Sequence, residues 1–301
     1  MKRRAFIGDV HGGLKQLERL YDMLGAYSLD AIEHVGDLVD RGPDPQGVVQ
    51  FCREKNIHGV LGNHESVILQ YMPGGKMAGK IPKNEDKART IAALNELDVE
   101  YLRTLPYYKI HDDALLQVHA GVNPFQPLTD QYLNKMRHVQ LAAIGLVHPE
   151  HPKESKWFRE TQNGVKEEDL RVLGWKRWYE LYNQPYDLVF GHNVWSHGQA
   201  FQYEAPNGKL LAGIDTGGWF SKNLTAFIYP DCFYVSTLLG EYFLPESQTG
   251  YVREPVYEKK EGDIVLSNAD FDRLVEHLAD PSPPSPLLVE AFRKYKESQG
   301  S

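Results

Sequence analysis

The chain has 301 residues, 42% of them hydrophobic, and a formal net charge of -8. This length and apolar content are enough for one large domain with an appendage, and no run of about 18 apolar residues exists that would span a membrane. The acidic balance argues against general attraction to double-stranded nucleic acid. Two cysteines, Cys52 and Cys232, are too few for a disulfide framework and favour a reducing cytoplasm.

Short apolar strands alternate with helices in the first part of the chain. Residues Ala5 to Gly8 predict a buried strand, and the helical spacing of apolar residues from Leu14 to Leu24 predicts the helix after it. Ala31 to Val35 and residues 59–61 predict two further strands, with a helix around Val48 between them. This alternation predicts an α/β layered fold.

The later elements are predicted in the same way. Buried strands are expected at 115–118, 187–190, 210–214 and 226–229, and residues 87–105 carry an amphipathic helical pattern. The segment from Pro73 to Lys87 is rich in Gly and Lys, which predicts a loop. Its lysines are expected to be solvated rather than to contact an anionic substrate: Lys76, Lys80, Lys83 and Lys87.

Polar motifs follow five of the predicted strands, at 8–12, 36–42, 62–65, 119–121 and 191–192. Because ligands bind outside the carboxyl ends of strands in α/β sheets, these motifs are expected to converge. A single Asp or His there would more readily be a cap or a buried core residue, but five such motifs rarely arise by chance. The candidate metal ligands are Asp9, His11, Asp37, Asn63, His119 and His192.

This set offers oxygen and imidazole nitrogen but no thiolate. Such ligands suit two divalent metal ions, with Mn²⁺ preferred and Fe or Zn²⁺ as alternatives. Asp37 is the natural bridge between the two, and metals about 3.5–4 Å apart activate water and clamp phosphate oxygens. The sequence therefore predicts a two-metal phosphoesterase.

The motifs resemble those of the phosphoprotein phosphatase superfamily of metallophosphoesterases, over roughly residues 5 to 235 and especially in its bacterial and phage branch. The resemblance implies a calcineurin-like β-sandwich, with two mixed sheets flanked by helices. It implies that Asp9, His11 and Asp37 hold the first metal. It also implies that the second metal is held by Asp37, Asn63, His119 and His192.

The same resemblance implies catalytic roles for other residues. His64 is the general acid, oriented by Asp40, and Arg41 binds the substrate phosphate. A histidine paired with a carboxylate suits proton donation, and the arginine fork matches a phosphate group. The stretch Trp-Phe-Arg-Glu at 157–160 implies a second phosphate-binding arginine, Arg159. The alternatives for that role are Arg137, Arg171 and Arg177.

Three further residues lie near the predicted strand ends. Asp215, within the bacterial-type stretch 214–218, is expected to support the site without binding metal. Trp195 and Trp219 either line a substrate pocket or serve as plain packing residues, and the sequence leaves both readings open.

The chain changes character near residue 258. We expect a catalytic domain over 1–258 and a helical, Pro-rich appendage over 259–301. The appendage is similar to the toxin-neutralising tail of antitoxins that pair with acetyltransferase toxins, which implies a protein partner. The alternatives are a helix packed on the catalytic domain or a tail that folds on some other partner.

Several functions fit these features. A serine/threonine phosphoprotein phosphatase is the first hypothesis, because Glu65 gives the motif at 62–65 the form usual in protein phosphatases. Hydrolysis of dinucleoside polyphosphates such as diadenosine tetraphosphate is the second, since residues 119–124 resemble those hydrolases. A nucleotide 2′,3′-cyclic phosphodiesterase is a third. A binding module acting through its tail belongs to another class, and the intact metal motifs argue against it.

Overall fold

The computed structural model describes residues 1–124, 128, 146–147, 176–194 and 198–242. The chain divides into two units, Met1–Pro255 and Val256–Ser301, and all described residues belong to the first. The expected appendage over 259–301 lies outside the described residues and stays a prediction. Among the described helices, none combines the length and apolar character that crossing a bilayer requires.

The described part of the chain is built from short strands and helices. The strands are β1 (Arg4–Ile7), β2 (Ala31–His34), β3 (His58–Gly59), β4 (Tyr108–His111), β5 (Leu115–Val118), β6 (Leu146–Val147), β7 (Lys176–Arg177), β8 (Asp187–Phe190), β9 (Phe201–Glu204), β10 (Leu210–Gly213), β11 (Thr225–Tyr229), β12 (Phe233–Ser236) and β13 (Gly240–Tyr242). The helices are α1 (Leu14–Leu24), α2 (Pro45–Glu54), α3 (Asn63–Tyr71), α4 (Glu85–Ala93), α5 (Glu96–Thr104) and α6 (Gly218–Ser221), with a 3-10 helix at Trp178–Leu181.

Two mixed sheets form the framework. The first has the order β13-β12-β11-β1-β2-β3, in which β1, β2 and β3 run parallel and β11 is antiparallel to β1. The second has the order β4-β5-β8-β10-β9, in which β5, β8 and β10 run parallel. Strands β6 and β7 form a separate pair. The predicted architecture of two mixed sheets with flanking helices is confirmed.

The side chains of β1 point alternately to two hydrophobic clusters, one on each face of the first sheet. Ala5 and Ile7 are buried in a cluster with residues of the helices α1, α2 and α5. Phe6, between them, is buried in a second cluster with Leu115 and Val189 of the other sheet. Because successive side chains of a strand point to opposite faces, β1 packs on helices with one face and on the second sheet with the other.

The region after β3 differs from expectation. One helix was expected over 87–105, but α4 and α5 are separate because Asn95 caps α5: its side chain accepts from the Asp98 amide at 3.0 Å, and Asp98 accepts from the Asn95 amide at 3.1 Å. The expectation that Lys87 is solvated is also wrong, since Lys87 lies on α4 with 6% of its surface exposed. Helix α3, which begins at Asn63, was not foreseen.

Candidate dinuclear metal site

The six candidate ligands lie at the carboxyl ends of parallel strands from both sheets. Asp9 and His11 follow β1, Asp37 follows β2, and Asn63 opens α3 after β3. The remaining two, His119 and His192, follow β5 and β8 of the second sheet. The parallel arrangement places the strand ends of each sheet at a common edge, so the five motifs meet where the two edges face each other.

Asp37 is the centre of this cluster. Its Oδ2 lies 3.5 Å from Nε2 of His11 and 3.4 Å from Nε2 of His119. Its other oxygen accepts from the backbone N–H of His64 at 3.0 Å. One carboxylate oxygen therefore faces ligand atoms from both sheets, which is the position that a bridging carboxylate needs.

The second group of ligands surrounds the Asn63 side chain. Its Oδ1 is 2.8 Å from Nε2 of His119 and 3.0 Å from Nδ1 of His192, and these two ring nitrogens are 3.1 Å apart. Asp9 is tied to the same place, because both of its carboxylate oxygens accept from the His192 amide, at 3.1 and 3.0 Å. The side chains of Asn63, His119 and His192 thus contact one another, and Asp9 is joined to them through the His192 amide.

The rings of His11 and His119 are oriented by backbone carbonyls. Nδ1 of His11 is 3.0 Å from the carbonyl oxygen of Val39, and Nδ1 of His119 is 2.9 Å from that of Val35. In metal sites such a bond holds the proton on one ring nitrogen and leaves the other free to bind the ion. Here it directs both Nε2 atoms toward Asp37.

The charges in the cluster fit the binding of cations. Burial and the neighbouring Asp215 raise the pKa of Asp9, and burial raises the pKa of Asp215 to about 6. Burial would also raise the pKa of Asp37, but His119 and His64 lower it well below the usual value. Bound cations would relieve the electrostatic repulsion among these buried carboxylates and would be coordinated by the converging imidazole nitrogens. This donor set therefore fits two divalent ions.

A second constellation lies beside the ligands. Nδ1 of His64 is 2.8 Å from Oδ2 of Asp40, and Nε2 of His64 is 3.3 Å from a terminal nitrogen of Arg41. Nε2 also lies 3.9 Å from Oδ2 of Asp37. The structure therefore brings together the predicted acid, its orienting carboxylate and the predicted phosphate-binding arginine at the edge of the metal cluster.

Glu65 is a structural brace that sequence reasoning missed. Its Oε1 accepts from the amides of Leu38 and Val39, at 2.8 and 3.1 Å, and its Oε2 accepts from those of Asp37 and Gly62, each at 2.9 Å. Glu65 is fully buried. One carboxylate thus joins the loop after β2 to the start of α3, and both segments carry candidate ligands.

The loops of the site adopt strained backbone conformations. A positive φ is found at five non-glycine residues of the two constellations: His11 (46°), Asp37 (52°), Asp40 (73°), Arg41 (60°) and His192 (72°). Each such residue costs roughly 1–3 kcal/mol, which the surrounding contacts must offset. Glycine is required next to them as well, because a Cβ at Gly191 would lie 2.0 Å from Oδ1 of Asp9.

Other predicted site residues are placed as follows. Asp215 is buried, and its Oδ1 accepts from the amide of Gly217 at 2.9 Å. Trp219 on α6 is half-buried, and its Cα lies 3.6 Å from where a Cβ of Gly13 would be. Arg159 and Trp195 lie outside the described residues, so their roles stay predictions.

Comparison with known proteins agrees with this geometry. The family model for calcineurin-like phosphoesterases matches residues 2–208. The asymmetrical bis(5'-nucleosyl)-tetraphosphatase PrpE of Halalkalibacterium halodurans is 31% identical over an alignment of 254 positions, and the match covers 76% of this chain and 91% of that protein. The symmetrical bis(5'-nucleosyl)-tetraphosphatase of Wigglesworthia glossinidia brevipalpis is 25% identical over an alignment of 278 positions, and the match covers 73% of this chain and 93% of that protein. A crystal structure provisionally described as a diadenosine tetraphosphatase superposes with a TM-score of 0.59 at 25% identity, covering 78% of this chain and 93% of that one.

Proposed function

The chain belongs to the calcineurin-like phosphoesterase family, whose members are metal-dependent phosphohydrolases, and we propose that its substrates are dinucleoside polyphosphates such as diadenosine tetraphosphate. The observation that carries this proposal is the similarity to bis(5'-nucleosyl)-tetraphosphatases over more than nine-tenths of their length. The relatives include both symmetrical and asymmetrical enzymes, so the position of cleavage is left to experiment.

The proposal departs from the first hypothesis drawn from the sequence, a phosphoprotein phosphatase. That hypothesis depended on Glu65 in the motif at 62–65. In the structure, Glu65 is buried and its oxygens are engaged by four backbone amides. Glu65 therefore supports the ligand loops and is not available to contact a substrate. Its presence in the motif gives no reason to prefer a phosphoprotein.

The metal ligands are proposed from the donor set. One divalent ion would be held by Asp9, His11 and Asp37, and the second by Asp37, Asn63, His119 and His192. When bound, the two ions activate water and withdraw charge from the phosphate oxygens. Mn²⁺ remains the preferred metal, with Fe and Zn²⁺ as alternatives.

The protein side chains complete the reaction. Asp40 holds Nδ1 of His64 at 2.8 Å, which fixes the ring so that its Nε2 presents a proton to the leaving oxygen. Arg41 lies 3.3 Å from that Nε2, where its guanidinium opposes the charge that develops on the transferred phosphoryl group. Arg159 is proposed as the second phosphate-binding arginine.

Trp219 is proposed as the platform for one nucleobase. It lies on α6, which packs on the loop that carries the first ligands: a Cβ at the neighbouring Gly218 would be 3.0 Å from the carbonyl oxygen of Asp9. An aromatic side chain on a segment that packs against a phosphate site suits stacking of a base.

The test is a substrate panel measured on Mn²⁺-loaded protein. The panel contains diadenosine tetraphosphate, a phosphothreonine peptide and p-nitrophenyl phosphate, and product analysis separates two ADP from AMP plus ATP. We expect kcat/KM for the dinucleotide to exceed that for the peptide by about 100-fold, which corresponds to about 3 kcal/mol of transition-state binding. Trp219→Ala should raise KM for the dinucleotide and leave KM for p-nitrophenyl phosphate unchanged.

The variant Asp37→Asn is the matched control. It retains size and shape but removes the central charge, so turnover of all three substrates should be lost if the metal centre is responsible. A preference for the peptide would overturn the proposed substrate and restore the phosphoprotein phosphatase. Undiminished turnover by Asp37→Asn would overturn the shared-ligand assignment.

A further inference from the structure

Helix α4 contacts the loop that carries the predicted phosphate-binding arginine. A terminal nitrogen of Arg89 donates to the carbonyl oxygen of Arg41 at 3.1 Å and to that of Gly42 at 3.0 Å. Lys87, two residues earlier on the same helix, is buried, and its positive charge also acts on the Asp40 carboxylate. Two cations of α4 therefore act on one loop, Asp40 to Gly42.

This loop has a conformation that needs outside support. Asp40 and Arg41 both have positive φ, 73° and 60°, although neither is a glycine. Within the loop, the Gly42 amide donates to the carbonyl oxygens of His11 at 2.9 Å and Asp40 at 2.8 Å. The bonds from Arg89 also fix the directions of two successive carbonyls, those of Arg41 and Gly42.

The direction of the Arg41 carbonyl is linked to the place of its side chain. The orientation of that carbonyl depends on the ψ angle of Arg41. Together, φ and ψ set the direction in which the Arg41 side chain leaves the backbone. The guanidinium then reaches 3.3 Å from Nε2 of His64. A change in ψ of a few tens of degrees would move the end of so long a side chain by more than the tolerance of a catalytic contact.

We propose that Arg89 is a positioning residue for phosphate binding, which acts by clamping the carbonyls of Arg41 and Gly42. This inference rests on the proposed role of Arg41 but not on the identity of the substrate. Arg89 does not touch the reacting groups itself.

A plain surface role is the competing account of Arg89. Its guanidinium also pairs with Asp86 at 2.8 Å, three residues earlier on α4, and both side chains are almost half exposed. Exposed pairs of this kind contribute little to stability. Asp86→Asn removes the pair and leaves the carbonyl contacts, so it is a matched control that separates the two accounts.

The experiment is a double-mutant cycle between Arg89 and Arg41, measured with p-nitrophenyl phosphate on Mn²⁺-loaded protein. We expect Arg89→Ala to lower kcat/KM about 5- to 30-fold, as for the loss of one or two hydrogen bonds, and to raise the inhibition constant of inorganic phosphate by a similar factor. Arg89→Lys should recover part of the loss. Asp86→Asn should behave like the wild type.

The cycle decides how Arg89 acts. In the Arg41→Ala background, Arg89→Ala should change kcat/KM by less than about twofold, because the group being positioned is absent. An equal loss in both backgrounds would overturn the proposal, as would an unchanged phosphate inhibition constant or an effect of Asp86→Asn as large as that of Arg89→Ala. If Arg41→Ala alone had no effect, the role of Arg41 and the proposal would both fail. Failure to hydrolyse dinucleotides would leave the cycle valid, since its substrate is not a nucleotide.

Discussion

Removal of the Glu65 carboxylate is expected to destabilise the protein and its metal centre together. Four backbone amides, those of Asp37, Leu38, Val39 and Gly62, donate to it at 2.8–3.1 Å in a buried setting. A hydrogen bond to a charged group contributes about 1.5–3 kcal/mol, and an unsatisfied buried donor is unfavourable by a similar amount. The four bonds share one acceptor and do not add, so we expect Glu65→Ala to lower the free energy of unfolding by about 3–5 kcal/mol.

The measurement is urea denaturation of the metal-free protein, followed by metal content after reconstitution. A loss of this size is a large fraction of the 5–15 kcal/mol typical of a domain. Glu65→Gln keeps one oxygen acceptor but turns an NH₂ group toward two amides, so it should lose roughly half as much and remains measurable if the alanine variant does not fold. Glu18→Ala on the exposed face of α1 should change stability by less than about 0.5 kcal/mol.

Two results would contradict this role of Glu65. If Glu65→Ala unfolds within about 1 kcal/mol of the wild type, the four contacts do not hold the loops. If it is destabilised but binds two metals per chain with unchanged affinity, the brace supports the fold without organising the ligands.

Two further predictions concern buried histidines. The variant His64→Asn should keep its metals but slow the hydrolysis of phenyl phosphate by about 10²–10⁴-fold. The loss should be smaller for p-nitrophenyl phosphate, because its leaving group needs no proton. If the variant loses metal, His64 is a metal ligand and not the general acid. His34 accepts from the Gly36 amide through Nδ1 (3.2 Å) and contacts the Tyr101 hydroxyl through Nε2 (3.0 Å), and burial, then the Lys109 charge, lowers its pKa to about 3 from the ordinary 6.5. Because the unfolded chain takes up this proton at a higher pH than the folded chain, His34 should lower the free energy of unfolding by about 1.4 kcal/mol per pH unit as the pH falls from 6.5 toward 3. The measurement is urea denaturation at a series of pH values. If the unfolding free energy of His34→Gln depends on pH as steeply as that of the wild type, the prediction is wrong.

Local patterns were sufficient for much of the fold. The apolar spacing from Leu14 to Leu24 predicted a helix whose bounds are those of α1. Mostly apolar segments predicted β5 and β8 at 115–118 and 187–190, because strands buried on both faces need no regular polar alternation. Strands such as β4 and β12 were not foreseen, since their pairing partners, not their own composition, decide whether such short segments become strands.

The sequence alone also predicted the chemistry of the site. Asp, His and Asn after Gly at the ends of predicted strands are enough to indicate an oxygen and nitrogen metal site at one edge of a sheet, because strand polarity and ligand type are local properties. The resemblance of these motifs to those of the phosphoprotein phosphatase superfamily implied the roles of His64, Asp40 and Arg41.

Only the tertiary structure decided which of these groups touch and what holds them. Asp9 and His192 meet although 183 residues separate them, and Arg89 reaches the carbonyl of Arg41 across 48 residues. The burial of Lys87 and the role of Glu65 as a brace have the same origin. Such contacts form when two sheets and a helix pack together. The free energy that favours them comes from segments far apart in the chain, so a local sequence pattern does not predict them.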